Sequence, residues 1–204
     1  MLRNSPDGGE KISSFFAKIR DWLEGLVVWP VLLYRRLRYG YTFRRIPMSE
    51  PKYAKVDPAD YKRLREYEWL VKKSRNSYYS FRIKPSKKVG NESQIFMHKE
   101  ILEVPKGMVV DHINIDGMDN RSANLRAATR AQNSRNRKKI SKPCSSKYKG
   151  VSWQKRSLKW HARITFEEKR IHLGYFKNEF DAAKAYDEAA KKYHGEFACL
   201  NFPE

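Results

Sequence analysis

In the last third of the chain, hydrophobic periodicity switches once, from two to about 3.6, and that switch restricts the folds open to it. Residues 148–155, 159–167 and 169–176 alternate apolar and polar and read as strands, with turns around Ser157 and at the EEK tripeptide. In the middle run Trp160, Ala162, Ile164 and Phe166 take one face; His161, Arg163 and Thr165 take the other. Asn178 then stands where a helix cap belongs, with Asp181 at the third position of a capping box. Phe180, Ala183, Tyr186, Ala190 and Tyr193 form the stripe of that helix, and Gly195 ends it. Alanine on the stripe lets the helix lie close to the strands. Residues 148–204 are therefore expected to form a three-stranded antiparallel sheet covered by one helix.

Charge decides the partner. The 204 residues carry 43 basic and 23 acidic side chains, a formal net charge of +20. Solubility alone calls for a magnitude of about 2–8 in a small domain. Nucleic acid fits that surplus better than an acidic protein does, and no obligate protein partner is evident. A composition 13% aromatic and 40% hydrophobic excludes a wholly disordered basic tail. Cys144 and Cys199 are too few for a four-ligand zinc cluster or a disulfide framework, so no structural zinc is expected and a cytoplasmic compartment is the plain reading.

Upstream, residues 1–40 form an accessory segment whose first ten residues read as disordered. Its most apolar run, residues 22–34, contains Glu24, is interrupted by Pro30 and is flanked by Arg20, Arg35, Arg36 and Arg38. A spanning helix needs about 20 apolar residues. The run is expected to be a helix packed on the protein, with an interfacial membrane anchor over residues 22–38 as the alternative. Residues 41–96 read as a small α+β part: strands at YGYTF and SYYSFRI, and a helix from Asp57 carrying Tyr61, Leu64, Tyr67 and Leu70. KPSKKVGNES reads as a hairpin loop, and QIFMHKEIL as a strand running into a helix. Residues 138–149 hold lysines and no acid; the basic linker, residues 140–147, is expected to track phosphates.

The stretch from Val104 to Lys139 carries the chemistry. A β-run over 107–113, a polar loop over 114–122 and a helical stretch over 124–137, with Leu125, Ala128 and Ala131, make a ββα unit. Asp111 and His112 put a carboxylate beside an imidazole at a strand end. The carboxylate can hold a hard divalent cation, and the imidazole can take a proton from water near neutral pH. Asn133 lies nine residues beyond Asn124, on roughly the opposed face of a regular helix.

The segment DHINIDGMDNRSANLRAATRAQNSRNR resembles the HNH homing-endonuclease motif, in its His-Asn-Asn variant, over residues 97–139. That resemblance implies an endonuclease that hydrolyses phosphodiester bonds with one Mg²⁺ or Mn²⁺ per active site. His112 would be the general base, Asn124 would position the histidine loop, and Asp111 and Asn133 would hold the metal. Asn120 matches a loop asparagine of structural role, and His98 a histidine frequent in phage-type members. Cysteine pairs of zinc-binding relatives are absent, which leaves packing to hold the fold.

The C-terminal pattern, through YKGV, KWHARI, HLGYF, AAKAYDEAA and LNF, is similar to the AP2 DNA-binding domain. There the sheet lies in the major groove. Matching contact positions are Lys149, Ser152, Gln154, Arg156, Lys159, Arg163, Thr165, Arg170, His172 and Tyr175, with Lys155, Arg135, Arg137 and Lys138 as further cations for phosphates. The resemblance as a whole is to phage and bacterial HNH–AP2 proteins, of the mobile-element kind. The expected fold class is α+β: a ββα-metal nuclease unit plus the AP2-like sheet and helix. A non-catalytic DNA-binding protein, transcriptional or architectural, with a degenerate HNH centre is the alternative function.

Overall fold

The computed structural model of the chain describes residues 24–74, 77–84, 93–139 and 144–203. Residues 1–10, residues 85–92 of the KPSKKVGNES loop and residues 140–143 of the linker lie outside the described residues.

Helix α1 (residues 24–39) continues through Pro30 rather than stopping there. Its half-buried positions are Glu24, Val28, Leu32 and Arg35; Glu24 Oε1 accepts from Arg44 Nη2 at 3.3 Å and Arg65 Nη1 at 2.8 Å, and Arg35 donates to the Phe43 carbonyl. Further apolar side chains face outward, with Val27, Trp29 and Leu37 exposed at 72%, 66% and 79%. Among the described residues no helix is long and apolar enough to cross a membrane.

The YGYTF segment does not form the expected strand. Gly40 takes φ +79°, the Tyr39, Tyr41 and Phe43 rings cluster within 6.3 Å of one another, and pairing starts only at Arg44. Strands β1 (Arg44–Pro47) and β2 (Tyr53–Val56) form an antiparallel pair. Helix α2 (Pro58–Leu64) starts after Asp57 with proline in its first turn and stops before Tyr67. Its end is held by Trp69, whose Nε1 donates to the Leu64 carbonyl at 2.7 Å. Leu70, read as helical from its spacing, instead opens strand β3 (Leu70–Ser74), which pairs with β4 (Ser77–Lys84); β4 pairs with β5 (Ser93–Phe96). Helix α3 (Met97–Ile101) follows at once. Ile46, Ala54, Val56, Leu64, Trp69 and Met97 form the core, with Met118 packed on it.

Strands β6 (Val109–His112) and β7 (Leu125–Ala128) pair antiparallel, Asp111 opposite Arg126 and His112 opposite Leu125. Helix α4 (Arg130–Arg135) starts at a capping box between Thr129 and Gln132. The helical stretch expected over 124–137 is thus half strand, because Leu125–Ala128 satisfies its backbone on β6. The 113–124 loop is fixed to β2: Lys55 N donates to Met118 O and Asn120 N to Lys55 O, each at 2.8 Å. Gly117 is required there, since a Cβ would lie 2.4 Å from the Tyr78 carbonyl.

Strands β8 (Val151–Gln154), β9 (Lys159–Phe166) and β10 (Lys169–Phe176) form the second sheet, with β9 central, under helix α5 (Glu179–His194). Ala182, Ala183, Tyr186, Ala189 and Ala190 are buried against Val151, Ala162 and Ile164. Phe180, expected in that stripe, is 41% exposed and instead packs, tilted, on Phe202 with ring centroids 4.7 Å apart. Asn178 caps through Phe180 N, one residue short of the box read from the sequence. Asp187, buried in the helix, accepts from Asn201 N and Phe202 N at 2.9 Å and so latches the chain end beside β8.

Candidate functional site

The 113–124 loop leaves β6 at His112 and returns at Asn124, and amide side chains hold both ends. Asn124 Oδ1 accepts from Asn114 N at 3.0 Å, and its Nδ2 donates to Asn114 Oδ1 at 2.9 Å and Asp119 O at 2.7 Å. Asn124 therefore shapes the loop, but it stands in a 3₁₀ turn (Ser122–Asn124), not on the helix with Asn133. Arg121 braces the same loop, bonding both Asp119 oxygens at 2.7 Å while lying 3.4 Å over the Tyr41 ring. Burial alone would raise the Asp119 pKa; its pair with Arg121 more than offsets this and holds the carboxyl below its usual range.

Asn120 rather than Asn124 reaches the imidazole. Its Oδ1 lies 3.2 Å from His112 Nε2, and its Nδ2 donates to Ser80 Oγ at 3.2 Å. With the amide oriented by Ser80, His112 carries its proton on Nε2 and keeps a lone pair on Nδ1. Burial pushes the His112 pKa down, against the opposing pull of the Asn120 bond and of Asp111. The Tyr79 and His98 rings pack 5.7 Å and 5.1 Å from it. Burial lowers the His98 pKa to about 3, with the His112 and Lys99 charges acting the same way. His98 is thus a buried neutral ring of the wall, its Nδ1 without a hydrogen-bond partner among the described residues.

Asp111 is 4% exposed. Asn136 Nδ2 lies 3.1 and 3.0 Å from its two oxygens and 2.9 Å from the His112 carbonyl. Arg126 Nε donates to Oδ2 at 3.0 Å; Nη2 is 2.9 Å from the same oxygen without hydrogen-bond alignment. Asp111, His112, Asn133, Asn136, Arg137 and Tyr79 line a cleft of about 80 Å³. The structure thus brings Asp111, His112 and Asn133 to one cleft, with Asn124 supporting it from outside.

Arg126 and Asn136 carry no role in the sequence reading. Arg126 is legible only once β7 is recognised as the partner of β6, and Asn136 only as the second asparagine of NSRN.

The donor chemistry fits a hard divalent ion. Among the described residues no three His, Cys, Asp or Glu side chains converge, so one carboxylate and carboxamide oxygens are what the cleft offers. Mg²⁺ is held in that manner, by one or two carboxylates with water and substrate phosphate completing its shell. A carboxylate has about four lone-pair sites, which leaves Asp111 capacity beyond its bonds to Arg126 and Asn136.

On the second sheet, alternation puts Ser152, Gln154, Lys159, Arg163, Thr165, Arg170, His172 and Tyr175 on the face away from α5, with a register shift between His172 and Gly174. His161 Nε2 and His172 Nδ1 are 2.6 Å apart there, and Tyr175 packs within 5.0 Å of both rings. Lys155 and Arg156 occupy the β8–β9 turn. Arg137 and Lys138 are exposed after α4, whereas Arg135 lies 5.2 Å from the Phe166 ring on the inner side of the sheet. Lys149 is set apart from the face: its Nζ donates to the Arg135 and Arg137 carbonyls.

Residues 103–135 match the family model of the HNH endonuclease. Among curated proteins, the chain is 48% identical over 59 residues to an AP2/ERF and B3 domain-containing protein of Oryza sativa subsp. japonica, covering 29% of this chain and 16% of the relative. It is 41% identical over 58 residues to the AP2-like ethylene-responsive transcription factor TOE2 of Arabidopsis thaliana, covering 28% and 12%. It is 48% identical over 59 residues to the dehydration-responsive element-binding protein 2C of Arabidopsis thaliana, covering 28% and 17%. The chain thus spans less than a fifth of the length of these relatives. The chain thus joins a segment similar to the HNH endonuclease family and a segment similar to the AP2 domains of these relatives.

Proposed function

We propose that the protein is an endonuclease that hydrolyses phosphodiester bonds of double-stranded DNA with one divalent ion, Mg²⁺ or Mn²⁺, and is directed to DNA by its AP2-like sheet. One observation carries this reading: the His112 imidazole, its Nε2 3.2 Å from Asn120 Oδ1, stands beside Asp111 at the same cleft. A bound divalent ion would offset charge on the scissile phosphate and the leaving oxygen. Asp111 and Asn133 would hold it, as oxygen donors of one cleft. His112 Nδ1 would accept the proton of the attacking water, and its adjacent bond to Asn120 stabilises the ring that results. Asn124 keeps the loop, and with it the imidazole, in place. Arg137, which lines the same cleft, would meet a phosphate oxygen.

Homing activity within a phage-like mobile element, in an intracellular setting, is the biological role that accords with the motif combination. Nicking of supercoiled plasmid with Mg²⁺ or Mn²⁺, set against EDTA, tests the reading. Wild-type protein should convert the plasmid, and His112→Ala should not while still binding duplex. Intact plasmid at every metal concentration, with duplex binding retained, would leave the non-catalytic DNA-binding protein. The observation favouring that second reading is that both Asp111 oxygens already meet Arg126 or Asn136.

A further inference from the structure

The two modules touch through side chains that also hold the proposed metal donors. Arg126 uses one edge of its guanidinium on Asp111. With Nη1 it donates to the Glu196 carbonyl at 2.8 Å, and it lies 3.8 Å over the Phe197 ring. Glu196 and Phe197 form the 3₁₀ turn (Gly195–Phe197) that ends α5, so this contact belongs to the AP2-like module. The Glu196 side chain adds a bond of 3.3 Å but is 75% exposed, so backbone and ring provide the buried part of the seat.

A second contact lies at the end of α4. Lys149 Nζ, from the segment leading into β8, donates to the carbonyls of Arg135 and Arg137. These flank Asn136, and α4 itself carries Asn133. In the opposite direction Lys139 Nζ donates to Tyr148 O at 2.7 Å and Val151 O at 3.1 Å. Burial pushes the Lys149 pKa down, as befits an ammonium enclosed between modules rather than offered to solvent.

We propose that the AP2-like module is docked as a structural part of the nuclease centre, and that Arg126 is the positioning residue through which its terminal turn sets Asp111. A planar guanidinium is a rigid fork; fixing one edge on Glu196 and Phe197 dictates where the other meets the carboxylate. Lys149 does the same for α4, and with it Asn133. Detaching the module leaves the charge of Arg126 in place but releases its orientation. Partners behind a metal ligand typically govern affinity or activity by roughly 10–100-fold. The inference rests on the metal-dependent nuclease reading and adds that DNA binding and metal-site geometry share one module.

The test uses the full chain with Phe197→Leu, which keeps bulk but removes the ring face, and separately Lys149→Met, each checked by thermal melting. Mn²⁺ binding is followed by electron paramagnetic resonance without DNA, duplex affinity in EDTA, and plasmid nicking in Mn²⁺. Both variants should need roughly tenfold more Mn²⁺ for half-saturation and nick correspondingly slower, with duplex affinity unchanged. Wild-type Mn²⁺ affinity and nicking in both variants would overturn the coupling. So would loss of duplex affinity in step with nicking, which would make both residues DNA contacts. A wild-type protein that neither binds Mn²⁺ nor nicks would instead overturn the nuclease reading beneath it.

Discussion

Asn120 is wholly buried and has two obligations, the imidazole N–H of His112 and the hydroxyl of Ser80. Alanine there strands a buried N–H, at a cost of about 1–3 kcal/mol, and frees the ring to rotate. Asn120→Ala should therefore lower both the urea midpoint and the nicking rate; a drop in stability with full activity would remove Asn120 from ring positioning. His98 makes a separate prediction about acid. Its folded pKa of about 3 lies below the 6.5 of an unperturbed histidine, so the unfolded chain binds more protons between those values. Stability should then fall as pH drops from about 6.5 toward 3, by at most about 1.4 kcal/mol per pH unit from this residue. His98→Phe, which keeps a ring between Phe96 and His112, should flatten the pH dependence of the urea midpoint. An equally steep acid limb in the variant would place the proton uptake elsewhere.

At the scale of elements, legibility followed the range of the interactions. Helix α5 was readable because its stripe, cap and terminal glycine all lie within its own sequence. Strand β7 was not: LRAA suits a helix or a strand, and only its register opposite Val109–His112, a long-range fact, decides. The same limit hid Arg126, whose meaning depends on facing Asp111. Asp111, His112 and Asn133 stand out in the sequence because a carboxylate, an imidazole and a carboxamide are informative residue types; that they line one cleft, and that Asn120 reaches the ring, is decided by long-range geometry. The close approach of β8 and α5 yields a sharp prediction. Gly150 has φ +75°, and a Cβ there would stand 1.9 Å from Tyr186 Cδ2. Gly150→Ala adds backbone strain to a ring that is itself buried, and should cost about 3 kcal/mol or more. A thermal melt unchanged from wild type would contradict that packing. Helix α1 predicts the opposite behaviour: Leu37→Glu, on its exposed side, should shift stability by no more than about 0.5 kcal/mol. A larger loss would mean that this side is covered in solution.

For the whole molecule, a net charge of +20 makes nonspecific attraction to DNA inevitable, so affinity alone cannot locate the interface. Salt dependence can. Each phosphate neutralised contributes about 0.9 to the slope of log K against log salt on B-DNA. On the outer sheet face Arg163 sits opposite His172, and Arg170 opposite Thr165, so the two guanidinium-bearing positions fall on neighbouring strands of one exposed surface. Neither has a salt-bridge partner among the described residues, and replacing both should leave stability within about 0.5 kcal/mol. The double variant Arg163→Gln, Arg170→Gln should therefore fold normally and reduce the magnitude of the salt slope by about 2 if both meet phosphates. Reduced affinity at an unchanged slope would mean that they read base edges, where counterions are not released. Unchanged affinity and slope together would take the sheet face out of the interface and leave Arg137, Lys138 and the linker to hold the duplex.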